Sequence, residues 1–208
     1  MLLSPQKIRW SGWLLFIGSL LSILALLVEL TVAVFPIIPA CASVIGGLLV
    51  AVGLPSTYIK QRDVIGMLGR IGFLLLLVTW FLTMLGVNIT DIVVIATVAH
   101  PTTSSIPPLI ANTINLASML MLIGTLLYGV LTLRARIFPS SVGWLMISTV
   151  IVITLSLFVA SLFAQLLYAI GELLLLSAFA RMGYLLARWP ADIEPEPVES
   201  EEVGTMSD

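Results

Sequence analysis

The chain has 208 residues, of which 60% are hydrophobic and only 10% are charged, and its mean hydropathy is +1.17. Soluble domains carry about 25% charged residues, so this composition excludes a water-soluble globular protein and predicts an integral membrane protein. At about 20 residues for each spanning helix, the length allows about five to seven helices and leaves no room for a separate soluble domain.

Apolar runs separated by polar or proline-containing segments divide the chain into six predicted transmembrane helices. The predicted spans are residues 12–35, 37–58, 66–87 and 109–133, followed by two spans within 140–189. A single helix over 140–189 would be about 75 Å long, whereas the hydrocarbon core is about 30 Å thick. We therefore expect a turn near 161–165. The predicted fold class is all-α, a polytopic membrane protein with six transmembrane helices as three hairpins.

Three connections between these spans are marked by polar residues or proline. Residues 60–63 are predicted to form a polar loop, and residues 134–139 a basic turn that ends at Pro139. The longest connection, 88–108, is rich in Thr, Ser and Pro. Its apolar part, 89–99, is too short to cross a membrane. It is either an extension of the third helix or a helix lying in the interface.

The basic residues indicate the orientation of the chain. They are Lys7, Arg9, Lys60, Arg62, Arg70, Arg134, Arg136, Arg181 and Arg188. With six spans, all nine fall on one side of the membrane, whereas five or seven spans would distribute them over both. Because positively charged loops stay in the cytoplasm, this pattern predicts a plasma-membrane protein with both termini cytoplasmic and the 88–108 loop outside.

The acidic residues are concentrated at the end of the sequence. Residues 190–208 hold seven acidic residues, three prolines and no basic residue. Such a segment buries too little apolar surface to fold, so we predict a disordered acidic cytoplasmic tail after a transmembrane domain of residues 1–189. The tail is a candidate contact site for a protein partner.

A weak internal repeat accompanies the three predicted hairpins. The outgoing helices open with similar Gly-containing sequences at Gly12, Gly72 and Gly143, and the returning helices close with a Tyr before a basic residue. The alternative interpretation is the ordinary belt of Trp, Tyr and basic residues at the membrane interfaces. In both interpretations these residues anchor helix ends.

Two stretches, 53–77 and 124–148, carry motifs of a known kind of protein. The motifs are Gly53 followed by Tyr58 and Lys60, the sequence LGRIGF at 68–73, and Tyr128-Gly129 followed by Arg134 and Pro139. In these motifs, over about half its length, the chain resembles uncharacterised bacterial six-span integral membrane proteins. The resemblance implies a topology and no activity.

The rare residue types argue against catalysis. Cys41 is the one cysteine and His100 the one histidine of the chain. A multi-histidine zinc or iron site and a haem held between two histidines therefore have no ligands. No sequence feature pairs a nucleophile with a base. We expect a protein that is not an enzyme and that has neither a cofactor nor a metal site.

The polar residues inside the predicted spans are the candidate functional residues. Most of the strongly polar ones fall in the outer half of the membrane, while the inner half is mostly aliphatic residues, glycine and aromatic residues. The candidates for an outer polar pocket are Glu29, Asn112, Asn115, Gln165, Tyr168 and Glu172. The last three share one helix face. No basic residue of the outer half is available to neutralise the two carboxyls. We therefore expect each carboxyl to be neutralised by a proton or by a cation from outside.

Two functional hypotheses follow. The first is a non-enzymatic multi-pass protein of the plasma membrane, acting as an accessory or scaffold component. The alternative is a small transporter or a cation- or proton-responsive membrane protein that uses the outer pocket around Glu172 and Glu29, since intramembrane acidic residues are functional candidates by default. Both hypotheses predict a lipid bilayer and no nucleic acid as partner, and both leave the oligomeric state open.

Overall fold

The computed structural model describes residues 4–31, 37–97, 108–159 and 162–189, and the regular structure of these residues is entirely α-helical. The helices are α1 (Pro5–Thr31), α2 (Ile37–Thr97), α3 (Pro108–Ala135), α4 (Ser140–Ser156) and α5 (Leu162–Ala187). Within the described residues, four of them, all but α4, are long and apolar enough to cross a membrane. The all-α class and the membrane character are thereby confirmed. The predicted tail 190–208 and residues 98–107 of the predicted outer loop lie outside the described residues.

Helix α2 reverses direction at Gly66, which separates a first arm (37–65) from a second arm (67–97). Gly66 has φ 60° and ψ −156°, a conformation that glycine adopts readily because it has no Cβ. The two arms then pack side by side, and the indole N–H of Trp80 donates a hydrogen bond to the Gly47 carbonyl at 3.2 Å. The predicted loop at 60–63 is wrong, since the backbone stays helical through these residues and the reversal requires the positive φ of Gly66.

The other helix boundaries refine the remaining predictions. The second arm of α2 continues to Thr97, so residues 89–97 extend this helix. α3 begins at Pro108, a favourable first helical residue because its missing N–H would have no partner inside the helix. The predicted turn at 161–165 is wrong. α4 ends at Ser156, the Leu157 N–H bonds to the Thr154 carbonyl in a tightened last turn, and α5 has already begun at Leu162.

The helices pack into a closed ring, and pairs of glycines lie in four of its helix–helix contacts. Each helix contacts the next one along the chain, and α5 also contacts α1. A Cβ added at one glycine of each pair would lie within about 3 Å of the partner glycine's carbonyl oxygen. These pairs are Gly183 with Gly12, Gly46 with Gly18, Gly124 with Gly72, and Gly143 with Gly129. Across the ring, the Trp80 and Phe179 rings meet edge to face, with centroids 5.4 Å apart.

The outside of the ring is apolar. Large aliphatic side chains are exposed on every helix, for example Leu24, Leu82, Leu126, Ile151 and Leu166. A helix that is apolar on all sides is suited to lipid on one side and to neighbouring helices on the other. The exposed surface therefore agrees with a location in the membrane.

One end of the ring carries basic residues, and we call it the basic end. There α1 begins, α5 ends and α2 approaches its reversal. The guanidinium Nε of Arg9 donates to the Ala187 carbonyl at 3.3 Å. The ammonium group of Lys60 lies 4.4 Å from the centroid of the Trp189 ring. Basic residues distant in the sequence thus lie at the same end of the described structure.

Candidate functional site

A cavity of about 720 Å³ opens at the end of the ring opposite the basic end, and we call it the carboxyl cavity. Every helix contributes to it. Its lining consists of Ser22, Leu26, Glu29 and Leu30 from α1; Ser43, Trp80 and Thr83 from α2; Met121 from α3; Ile153, Ser156 and Leu157 from α4 and the turn after it; and Ala164, Gln165, Tyr168, Ala169, Glu172 and Leu175 from α5.

The carboxyl cavity brings together four of the six candidate residues, namely Glu29, Gln165, Tyr168 and Glu172. Asn112 and Asn115 are both exposed on α3 and are not among the described lining residues. The spacing of Gln165, Tyr168 and Glu172 explains their common position, because residues three and seven apart on a helix lie on one face. Only the packing of α1 against α5 adds Glu29 to them.

The contact between α1 and α5 sets the depth of these side chains. The two helices are antiparallel, and Gly12 lies against Gly183. At 1.5 Å per residue, Glu29 and Gln165 are about 25–27 Å above this contact, and Ser22 and Glu172 are about 15–17 Å above it. The cavity therefore has a mouth level with Glu29 and Gln165 and a deep level with Ser22 and Glu172.

Trp80 forms part of the cavity wall at the deep level. Its hydrogen-bond acceptor Gly47 follows Gly46, and Gly46 lies directly against the Ser22 side chain. Trp80 is only 1% exposed and contacts the Phe179 ring on the other side of the bundle. Its indole is thus held in one orientation. One feature of the sequence could have indicated a structural role for Trp80. It lies in the middle of an apolar run, away from the interfacial belt where Trp residues usually lie.

The polar groups of the cavity interact with one another. Glu172 is close enough to interact electrostatically with both Glu29 and Tyr168. Ser22 is buried, and its hydroxyl oxygen has no hydrogen-bond partner among the described residues. None of the described lining residues is Lys or Arg. The cavity is thus lined by two carboxyls, which are groups that interact favourably with a cation.

A second polar cluster lies nearer the basic end, where the sequence predicts mostly apolar and aromatic residues. Thr57 donates its hydroxyl proton to the Leu54 carbonyl at 2.7 Å, so the Tyr128 hydroxyl must be the donor in its 2.8 Å contact with Thr57. The Gln61 amide in turn donates to the Tyr128 hydroxyl at 3.3 Å. We call these three residues the tyrosine cluster. Tyr128 is fully buried, so it is not the interfacial anchor that the sequence suggests. Thr57 and Gln61 share a helix face, a signal that could have indicated the cluster.

Comparison with known proteins adds no family to this description, since no protein-family model, no curated protein and no solved structure matches the chain.

Proposed function

We propose that the chain is a six-span protein of the plasma membrane, built as three hairpins with both termini cytoplasmic. Two observations support the proposal. The reversal of α2 at Gly66 gives two arms that pack side by side, and the basic residues Arg9 and Lys60 contact the end of α5. In this topology the basic end is cytoplasmic and the carboxyl cavity opens to the outside.

Reporter fusions test this topology. A reporter fused after Arg62 or Arg136 should be cytoplasmic, and one fused after residue 100 should be external. The expectation follows from the one-sided basic residues. The opposite location at any of these positions would refute the six-span arrangement.

We further propose that the protein binds a small cationic solute from the outside in the carboxyl cavity, as a small transporter or a cation-responsive membrane protein and not as an enzyme. The observation that carries this proposal is that Glu29 and Glu172, from helices at opposite ends of the sequence, line one cavity. Its volume falls within the 300–1,000 Å³ that is typical of small-molecule sites. A purely scaffolding role requires no such cavity, so the cavity favours solute binding. The tail 190–208 remains a proposed contact for a protein partner.

Thermal unfolding of the purified protein tests cation binding. The chlorides of sodium, calcium and 2-phenylethylammonium are compared at constant ionic strength and pH. A cation that occupies the cavity at a hundred times its Kd stabilises the folded state by about 2.7 kcal/mol. Stabilisation should be seen with at least one of these cations and should be lost in Glu172→Gln.

The matched control for this experiment is Asp63→Asn. It also removes one carboxylate, but Asp63 is exposed near the basic end, where it pairs with Arg62 at 3.3 Å. Asp63→Asn should retain the stabilisation. Equal stabilisation of wild type and Glu172→Gln by every cation, or none in wild type, would contradict cation binding in the cavity.

A further inference from the structure

We propose that the first turns of α1 bind the headgroup phosphate of an anionic phospholipid from the cytoplasmic leaflet. The site is an open groove of about 460 Å³ lined by Gln6, Arg9, Trp10 and Trp13, and we call it the α1 groove. It lies at the basic end, opposite the carboxyl cavity, so it does not depend on the proposed cation binding. Only its assignment to the cytoplasmic leaflet rests on the proposed topology.

The side chains of the α1 groove supply hydrogen-bond donors to an anion. The four lining residues share one face of α1, because positions three, four and seven apart on a helix lie together. Their donors are the Arg9 guanidinium, the Gln6 amide and two indole N–H groups. Among the described hydrogen bonds of these side chains, only the Arg9 Nε is engaged. No carboxylate is among the described lining residues, so the groove favours a ligand with several anionic oxygens.

The Arg9 guanidinium is oriented for a phosphate. Its Nε donates to the Ala187 carbonyl at the end of α5 at 3.3 Å, which leaves both terminal nitrogen atoms for a ligand. Two parallel N–H groups of a guanidinium match two oxygen atoms of a phosphate. The ion pair described at this end joins Arg62 to Asp63, so no described carboxylate neutralises Arg9.

The exposed surface of α1 continues from the groove towards the middle of the membrane. Ile17, Leu20 and Leu24 are 50%, 41% and 59% exposed, and their spacing places them on the same face as Trp13. From Trp13 to Leu24 the helix rises about 17 Å, which is close to half of a hydrocarbon core of about 30 Å. A phospholipid of one leaflet has the same arrangement, with a phosphate at one end and acyl chains that reach the midplane. A free phosphate would gain nothing from this apolar stripe.

The charge around the groove favours an anionic headgroup over a zwitterionic one. Lys7 is exposed two residues before Arg9, and Arg188 directly follows the Ala187 carbonyl that Arg9 contacts. A choline group would bring a further cation among these residues, whereas a glycerol headgroup brings none. Basic residues next to a membrane attract anionic lipids for this reason.

Native mass spectrometry of the purified full chain, released from detergent micelles, tests the inference. The probes are dioleoylphosphatidylglycerol and dioleoylphosphatidylcholine, which have identical acyl chains, with inorganic phosphate as competitor. We expect phosphatidylglycerol to bind at least about tenfold more tightly than phosphatidylcholine, and inorganic phosphate not to displace it. A hydrogen bond to a charged group corresponds to roughly a tenfold to hundredfold change in Kd.

Two variants locate the headgroup. Arg9→Gln should weaken phosphatidylglycerol binding by about tenfold or more, and Gln6→Leu, which spares the contact of Arg9 with Ala187, by about two- to tenfold. The matched control is Arg70→Gln, which also removes an exposed arginine, but one whose Nε donates to the Tyr58 hydroxyl outside the groove. It should leave the affinity unchanged. The comparison of lipids on the wild-type chain keeps the test decisive if a variant fails to fold.

Each contrary outcome overturns a defined part of the inference. Equal affinity of the wild-type chain for the two lipids would overturn the anionic headgroup. Equal losses in Arg9→Gln and Arg70→Gln would indicate a general attraction by the basic end and would overturn the α1 groove as the site. Displacement by inorganic phosphate would overturn the phospholipid as occupant. Binding by a chain ending at Trp189 but not by the full chain would do the same, because the acidic tail would then cover the groove. None of these outcomes affects cation binding in the carboxyl cavity.

Discussion

The contact between Gly12 and Gly183 closes the helix ring, and replacing Gly183 with alanine should open it. A Cβ at position 183 would lie 2.5 Å from the backbone nitrogen of Phe16 and 2.8 Å from the carbonyl oxygen of Gly12. Both atoms belong to the backbone of α1, so no side chain can rotate away to make room. The strain can be relieved only if α1 and α5 separate.

The size of the effect follows from these distances. Non-bonded heavy atoms are most favourable at about 3.5–4.0 Å, so the helices must separate by about 1 Å. A gap of that size forfeits about a quarter to a half of the dispersion energy of each affected atom pair. Overpacking of this kind costs about 1–3 kcal/mol, and alanine regains up to about 1 kcal/mol through its better helix propensity. We expect a net loss of about 1–2 kcal/mol.

The assay is unfolding of the purified protein by sodium dodecyl sulfate in mixed micelles, followed by circular dichroism. Gly86→Ala is the matched control, because it makes the same change within a helix where an added Cβ meets no atom of the described residues within 4 Å. Gly86→Ala should be as stable as wild type or up to about 1 kcal/mol more stable.

A double variant provides a second check on the same contact. In Gly12→Ala with Gly183→Ala, the loss should be smaller than the sum of the two single losses, because one separation of the helices accommodates both methyl groups. If Gly183→Ala were as stable as Gly86→Ala, the close packing of α1 on α5 would be refuted.

Two further predictions concern the tyrosine cluster and the tail. Tyr128→Phe should lower the free energy of unfolding by about 1–3 kcal/mol in the same assay, because it leaves the buried Gln61 amide without its acceptor. The control Tyr184→Phe keeps the ring beneath Arg188 and should change the free energy of unfolding by less than about 0.5 kcal/mol. Equal effects of the two substitutions would contradict the cluster's role. A chain ending at Trp189 should still insert and elute as a single compact species in size-exclusion chromatography, since the acidic tail has too little apolar surface to contribute a core. Loss of the folded species would show that the tail docks on the membrane domain.

The sequence located the reversals of the chain less well than the helices themselves. The polar residues 60–63 suggested a loop, but long charged side chains can reach the aqueous phase from a helix end while the backbone stays helical. The reversal depends on the positive φ of Gly66, and Gly66 is one of several glycines in that region. Between α4 and α5 no glycine or proline in the sequence marks the turn, and the prediction fell several residues too late.

The class of the protein and its helical character are predictable from the sequence alone. These properties depend on composition and on local spacing, because a bilayer requires long apolar segments whose backbone groups are bonded within the segment. The prediction that Gln165, Tyr168 and Glu172 share one helix face likewise depends only on their spacing along the sequence.

Which helix faces meet is known only from the packed structure. It placed Glu29, Ser22 and Trp80 beside Glu172, left Asn112 and Asn115 outside the cavity, and buried Tyr128. The physical reason is that these helices are apolar on nearly all sides, so no amphipathic pattern fixes their rotation about their own axes. That rotation is set by close contacts between glycines of different helices, which become visible only once the helices are packed.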